Sequence, residues 1–181
     1  PAPRRHGPRH QCTLCAQDCP FNAITLVPRT DGKRFPAQAQ VDPARCVGCG
    51  VCAGSCDSEG IGLPWFDVLR ETQRIEQLVL AAVERQEQPL LALVCAETHG
   101  GWSHFDAHAW RDTLPGCTVV PVPCIGWIPP KLLERVFSHS ATGVVVLSCS
   151  DENGVCREGA RWFDLRLAGE RKPMFKRERA G

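Results

Sequence analysis

The sequence predicts two structural classes in tandem. An α+β region over residues 1–62 precedes an α/β domain with a parallel sheet over residues 89–181, and an amphipathic helix within 63–88 joins them. Three observations carry this reading. Two crowded cysteine runs fill the first third of the chain, with short strand-like segments between them. After Pro64 an apolar period of helical spacing takes over. Continuous apolar runs then alternate with helical stretches, the pattern of buried parallel strands linked by right-handed crossovers.

A chain of 181 residues accommodates one large domain or two small ones. It holds twelve cysteines, yet no secretory apolar segment and no cleavage site. Cysteine density without secretion favours metal over disulfides, hence a reducing, cytoplasmic setting. The net charge of +1 gives no sign of nucleic acid or of an acidic substrate. Both ends are basic: Arg4, Arg5 and Arg9 lead the chain, and eight Lys/Arg stand against four Asp/Glu from Arg157 onward. These ends read as solvated tails, with docking to an acidic partner the sharper alternative. No run approaches the ~18 apolar residues of a membrane helix. The segment therefore reads as soluble, or as sitting at the cytoplasmic face of a complex whose membrane subunit lies outside it. It opens on Pro1 without a methionine, as part of a longer polypeptide would.

Residues 1–10 are rich in Pro, Arg and His and read as a disordered lead-in, with His6 and His10 solvated. The first run is Cys12-Thr13-Leu14-Cys15-Ala16-Gln17-Asp18-Cys19-Pro20, with Arg9 where a further cysteine would complete the spacing. Pro20 turns the chain out of the loop, and Ile24 to Val27 predicts a strand. Asp31-Gly32 marks a hairpin turn, and the strand-like Ala39 to Asp42 leads into the second run. That run places Cys46, Cys49, Cys52 and Cys56 in the order C-x2-C-x2-C-x3-C. The spacing wraps three thiolates around one iron–sulfur cube and sends the fourth elsewhere. Gly48, Gly50 and Gly54 let the backbone approach inorganic sulfide closely. Zinc needs only paired cysteines on two knuckles, and disulfides would pair poorly at such spacing.

From Pro64 to Gln88 the residues Trp65, Phe66, Leu69, Ile75, Leu78, Val79, Ala82 and Val83 recur near helical spacing. Pro89 ends the helix, and Trp65 and Phe66 are assigned to the core. Leu90–Cys95 predicts a buried strand, followed by a short helix around Ser103 to Thr113. Cys117–Cys124 predicts a second strand, Pro129-Pro130 starts a helix through Phe137, and Gly143–Cys149 predicts a third strand. Cys95, Cys124 and Cys149 each close a different strand, and the carboxyl ends of such strands line the crevice of an open α/β sheet. Cys156 can fold back to join them. Four converging thiolates suit a [2Fe–2S] cluster, or zinc. Three strand ends out of three is not what buried core cysteines would produce. Cys117, at a strand start, reads as structural. No phosphate loop or G-x-G-x-x-G occurs, so nucleotide binding has no support. His99, His104 and His108 read as surface histidines near the same rim.

The two cysteine runs resemble a two-cluster bacterial ferredoxin. In that family the fourth cysteine of each run ligates the other cluster. The resemblance implies one [4Fe–4S] cluster on Cys46, Cys49, Cys52 and Cys19, and a second on Cys12, Cys15 and Cys56, one cysteine short. A three-iron [3Fe–4S] cluster, a ligand such as Asp18 or His10, or a cysteine before Pro1 would each resolve the deficit. Asp18 has an ordinary alternative in capping a short helix after Cys19.

The second half is similar to the iron–sulfur delta subunit of methyl-viologen-reducing hydrogenase, which passes electrons to heterodisulfide reductase. The likeness rests on Val94-Cys95, Val122-Pro123-Cys124-Ile125-Gly126 and Gly143–Cys149. It continues through Cys156-Arg157-Glu158-Gly159 and Arg166 to Arg171. It implies a [2Fe–2S] cluster, no catalytic site, and an electron relay between redox subunits such as a flavoprotein, a hydrogenase or dehydrogenase, or a membrane cytochrome. The alternatives are an enzyme whose incompletely ligated cluster binds substrate, and a zinc or redox-sensing interaction module.

Overall fold

A computed structural model describes residues 12–32, 35–96, 106–149 and 158–180 of the chain. The first cysteine run forms a single helical turn, α1 (Leu14–Gln17), closed at Asp18. The helix expected after Cys19 thus stands before it, because Pro20 and the bend behind it turn the chain straight into a strand. β1 (Ile24–Pro28) and β2 (Ala37–Val41) pair antiparallel, with Ile24 opposite Val41 and Pro28 opposite Ala37. Gly32, at φ +68°, supplies the left-handed backbone between them. The second run contributes the short helix α2 (Val51–Gly54), entered from Gly50 at φ +77°.

α3 (Val68–Glu84) is the long helix expected after Pro64, starting slightly later. Asp67 caps it, its carboxylate accepting from the Arg70 N–H at 2.9 Å. The buried stripe is Val68, Thr72, Ile75, Val79 and Ala82. Two expectations fail at its edges. Leu69 and Val83 face solvent, and Trp65 is 56% exposed whereas its neighbour Phe66 is buried. The helix starts only at Val68, so Trp65 and Phe66 lie in the turn before it, their rings in tilted contact at 5.9 Å, with only Phe66 reaching the core.

The rest is an α/β unit. β3 (Leu90–Cys95) lies between β4 (Cys117–Val122) and β5 (Gly143–Leu147), both parallel to it, in the order β4-β3-β5. Leu90 aligns with Cys117 and with Gly143, so all three strands end at one edge. β3 is buried from Leu91 to Cys95, as a continuous apolar central strand should be. α4 (Ala107–Thr113) precedes β4, and α5 (Pro130–Ser138) links β4 to β5. Pro130 opens α5, and Leu132, Leu133 and Val136 face the core. A last helix, α6 (Gly159–Leu167), was not anticipated from the sequence.

One buried cluster unites Ala53, Leu63 and Phe66 with Leu93, Val122 and Trp127, so the cysteine-bearing half packs on the α/β half. The joint is made of backbone. A Cβ on Gly54 would lie 2.2 Å from the Gly126 carbonyl, and one on Gly126 would lie 2.8 Å from the Gly159 Cα. Only glycines allow α2, the turn at Ile125–Trp127 and α6 to meet this closely.

Candidate metal centre

Two groups of thiols form around the cysteine runs, each drawing on both. Burial pushes the Cys15 thiol up, and the charges of Cys56 and then Cys12 push it further. Burial likewise raises Cys49; a hydrogen bond from the Val51 N–H opposes it, and Cys19 and Cys46 add to the rise. Cys52 is pushed up to about 12 by burial first, then by Cys49, Cys15, Cys19 and Cys46. Cys52 therefore stands nearest the junction of the two groups. Without a bound cation these thiols hold their protons, and loading must release them.

A cavity of about 210 Å³ is lined by Cys19, Cys46, Cys49 and Cys52 together with apolar residues including Ile24 and Leu63. Gly50 makes room for its wall: a Cβ there would come within 2.8 Å of the Trp127 ring. Among the described residues no three His, Cys, Asp or Glu side chains converge as one metal ion requires. Four thiols around a cavity of this size with a mostly apolar lining suit a larger sulfide-bridged group better than a single tetrahedral ion. Backbone donors already aim at sulfur. The Ala23 N–H reaches Cys19 Sγ at 3.4 Å, and the Gly60 N–H reaches Cys56 Sγ at 3.2 Å. The indole N–H groups of Trp127 and Trp162 are buried without an acceptor among the described residues.

Each group has one exposed thiol, Cys12 beside Cys15 and Cys56, and Cys46 in the other. The Asp18 carboxylate is 1% exposed and accepts from Ser55 Oγ at 2.7 Å, while Arg171 donates to its other oxygen. Arg166 lies 3.5 Å away, completing a buried ion network. The Asp18 carboxylate is thus engaged by Ser55, Arg166 and Arg171. Arg9 and His10 lie outside the described residues.

At the sheet edge Cys95 ends β3, and Cys124 and Cys149 each stand two residues beyond β4 and β5. Because the strands are parallel and in register, all three positions lie toward the carboxyl edge of the sheet. Cys124 is buried against Val51, with Cys49 and Trp162 beside it, which brings it close to the second cysteine run. Cys124 Sγ accepts from the Gly126 N–H at 3.4 Å, and Cys95 Sγ points at the Pro123 carbonyl at 3.9 Å. Cys156, His99 and His104 lie outside the described residues, whereas His108 is exposed on α4. Cys117 sits at the opposite end of β4, paired with Leu90.

Sequence reasoning missed the Asp18–Ser55–Arg166–Arg171 network. It assigned Arg166 and Arg171 to a solvated tail, yet Arg166 is 0% exposed. Arg171 stacks on Trp162 at 5.0 Å. Farther on, the Lys176 N–H donates to Glu134 at 2.9 Å, so the basic end is tied down at more than one point.

These features define two packed parts, the first of which gathers the thiols of both cysteine runs. Residues 9–59 match the family of 4Fe-4S dicluster domains, which accounts for the two cysteine runs. Residues 90–172 match the family of the methyl-viologen-reducing hydrogenase delta subunit. The chain thus carries, in tandem, a part that matches the 4Fe-4S dicluster domains and a part that matches the hydrogenase delta subunit. No curated protein and no solved structure matches it. Among the described residues no helix is long and apolar enough to cross a membrane.

Proposed function

We propose that the chain is an electron-relay module with a ferredoxin-like part (1–62), a connecting helix (63–88) and a delta-subunit-like part (89–181). Cys46, Cys49, Cys52 and Cys19 hold one [4Fe–4S] cluster. Cys12, Cys15 and Cys56 hold another, which takes a fourth ligand other than the described cysteines or closes as a three-iron cluster. Cys95, Cys124, Cys149 and Cys156 hold a [2Fe–2S] cluster at the sheet edge. When bound, such clusters take up and release single electrons. The residues around them exclude water and present N–H donors to sulfur, which sets the potential. The partners are redox subunits: a flavoprotein, a hydrogenase or dehydrogenase, or a cytochrome.

The observation that carries this reading is the cavity whose wall joins Cys19 of the first run to Cys46, Cys49 and Cys52 of the second. Cys124, packed beside Cys49, supports a short path from one half to the other. Iron, zinc and acid-labile sulfide analysis of anaerobically purified protein, with EPR of both redox states, tests it. About ten irons with matching sulfide are expected. About nine, with an oxidised three-iron signal, assigns the deficit to the Cys12 group. Six or fewer, with zinc present, overturns the three-cluster relay.

A further inference from the structure

Arg166 is a buried cation among groups that all neighbour cysteines. Its Nη1 donates to the Gly126 carbonyl at 2.9 Å, two residues after Cys124. Its Nη2 reaches Ser55 Oγ at 2.5 Å and the Val51 carbonyl at 3.5 Å, on either side of Cys52. Asp18, next to Cys19, is its counter-ion at 3.5 Å. Asp18 is shared with Arg171, however, so two guanidinium groups face one carboxylate. Arg171 is 26% exposed and shares its charge with solvent, whereas the Arg166 side chain is enclosed. The Arg166 Nε–H is buried with no acceptor among the described residues, which leaves that charge still less compensated. The fold accommodates the guanidinium on purpose-shaped backbone: a Cβ on Gly54 would come within 2.6 Å of Nη1.

A hydrophobic residue of similar length would fill this space without the desolvation penalty of a buried ion. We infer that Arg166 sets the reduction potential of the group held by the second cysteine run, its fixed positive charge favouring the electron-loaded state, with Asp18 as the opposing charge. The inference rests on the proposed cluster-bearing function. Arg166 acts through the field at the site and as a positioning residue, and it touches no reacting atom. Burial tends to lower the ionisation of Arg166 and Asp18 counters this, so the pair holds the charge in place.

The test is potentiometric titration followed by EPR on anaerobically purified full-length protein, with iron and sulfide content measured on each sample. Arg166→Met removes the charge and keeps the bulk. At a fixed poise its oxidised-to-reduced ratio should rise at least tenfold, which for one electron is a fall of 59 mV. Arg166→Lys should keep the parent ratio within about threefold, and Asp18→Asn should shift it in the opposite direction to Arg166→Met. Three results would overturn the inference: iron retained with the ratio of Arg166→Met unchanged, equal shifts of one sign in Arg166→Met and Asp18→Asn, or loss of iron in all three variants. The last would make these residues purely structural. Parent protein devoid of iron and sulfide would instead remove the cluster-bearing function itself.

Discussion

At the residue scale the thiols and the buried ions carry opposite obligations. The thiols must lose protons to bind metal, and the ions must keep their partners. If Cys19 completes the site of the second run, Cys19→Ser and Cys46→Ser should remove the same EPR signal, while Cys56→Ser removes a different one. Identical losses from Cys19→Ser and Cys56→Ser would contradict that exchange. The apo protein carries a further signature. Cys52 ordinarily ionises at 9.0 but is held up to about 12 in the fold, so the folded state favours the neutral thiol. That contribution to stability is complete below pH 9.0 and is lost as the pH rises toward 12. Urea midpoints of the apo protein should therefore fall across this window, and a Cys52→Ala variant should show a shallower decline. Asp18→Ala leaves Arg166 buried against an empty site, and unfolding should become easier by about 3–5 kcal/mol. Denaturant titration of metal-loaded protein measures this directly.

At the element scale the sequence was legible wherever apolar spacing decided the outcome. β3, β4, β5, α3 and α5 each follow from runs or periods of apolar side chains, and each formed close to where it was expected. α6 was not legible. Its buried stripe is Gly159, Phe163 and Arg166, at helical spacing, but one member is a glycine and another a cation. A reading that scores Arg as solvated breaks that stripe. The same scoring hid the Asp18 network, which only tertiary proximity reveals. The cysteine spacing, by contrast, showed the two runs plainly, because ligand geometry constrains neighbours in sequence. Trp65 was misplaced because helical phase says nothing about residues before the cap. Two substitutions weigh these elements. Asp67→Ala removes the cap of α3 and should cost about 1 kcal/mol in denaturant titration. Gly126→Ala forces apart α2 and α6 and should cost about 1–3 kcal/mol, with near-UV circular dichroism of the tryptophans changing as well.

At the scale of the whole molecule the two parts share one core and one ion network. Removing the metal should therefore lower the melting temperature of the entire chain rather than of its first third. Far-UV circular dichroism and tryptophan fluorescence should still trace a single transition, and two separated transitions would contradict this. The shared network also imposes an order on synthesis. Ser55 and Arg166 are 111 residues apart, and Asp18 and Arg171 are 153 apart. At roughly 5–20 residues per second of translation, the cysteine-bearing end waits on the order of ten seconds for its arginines. Through that interval the last clasp between the two parts is unmade.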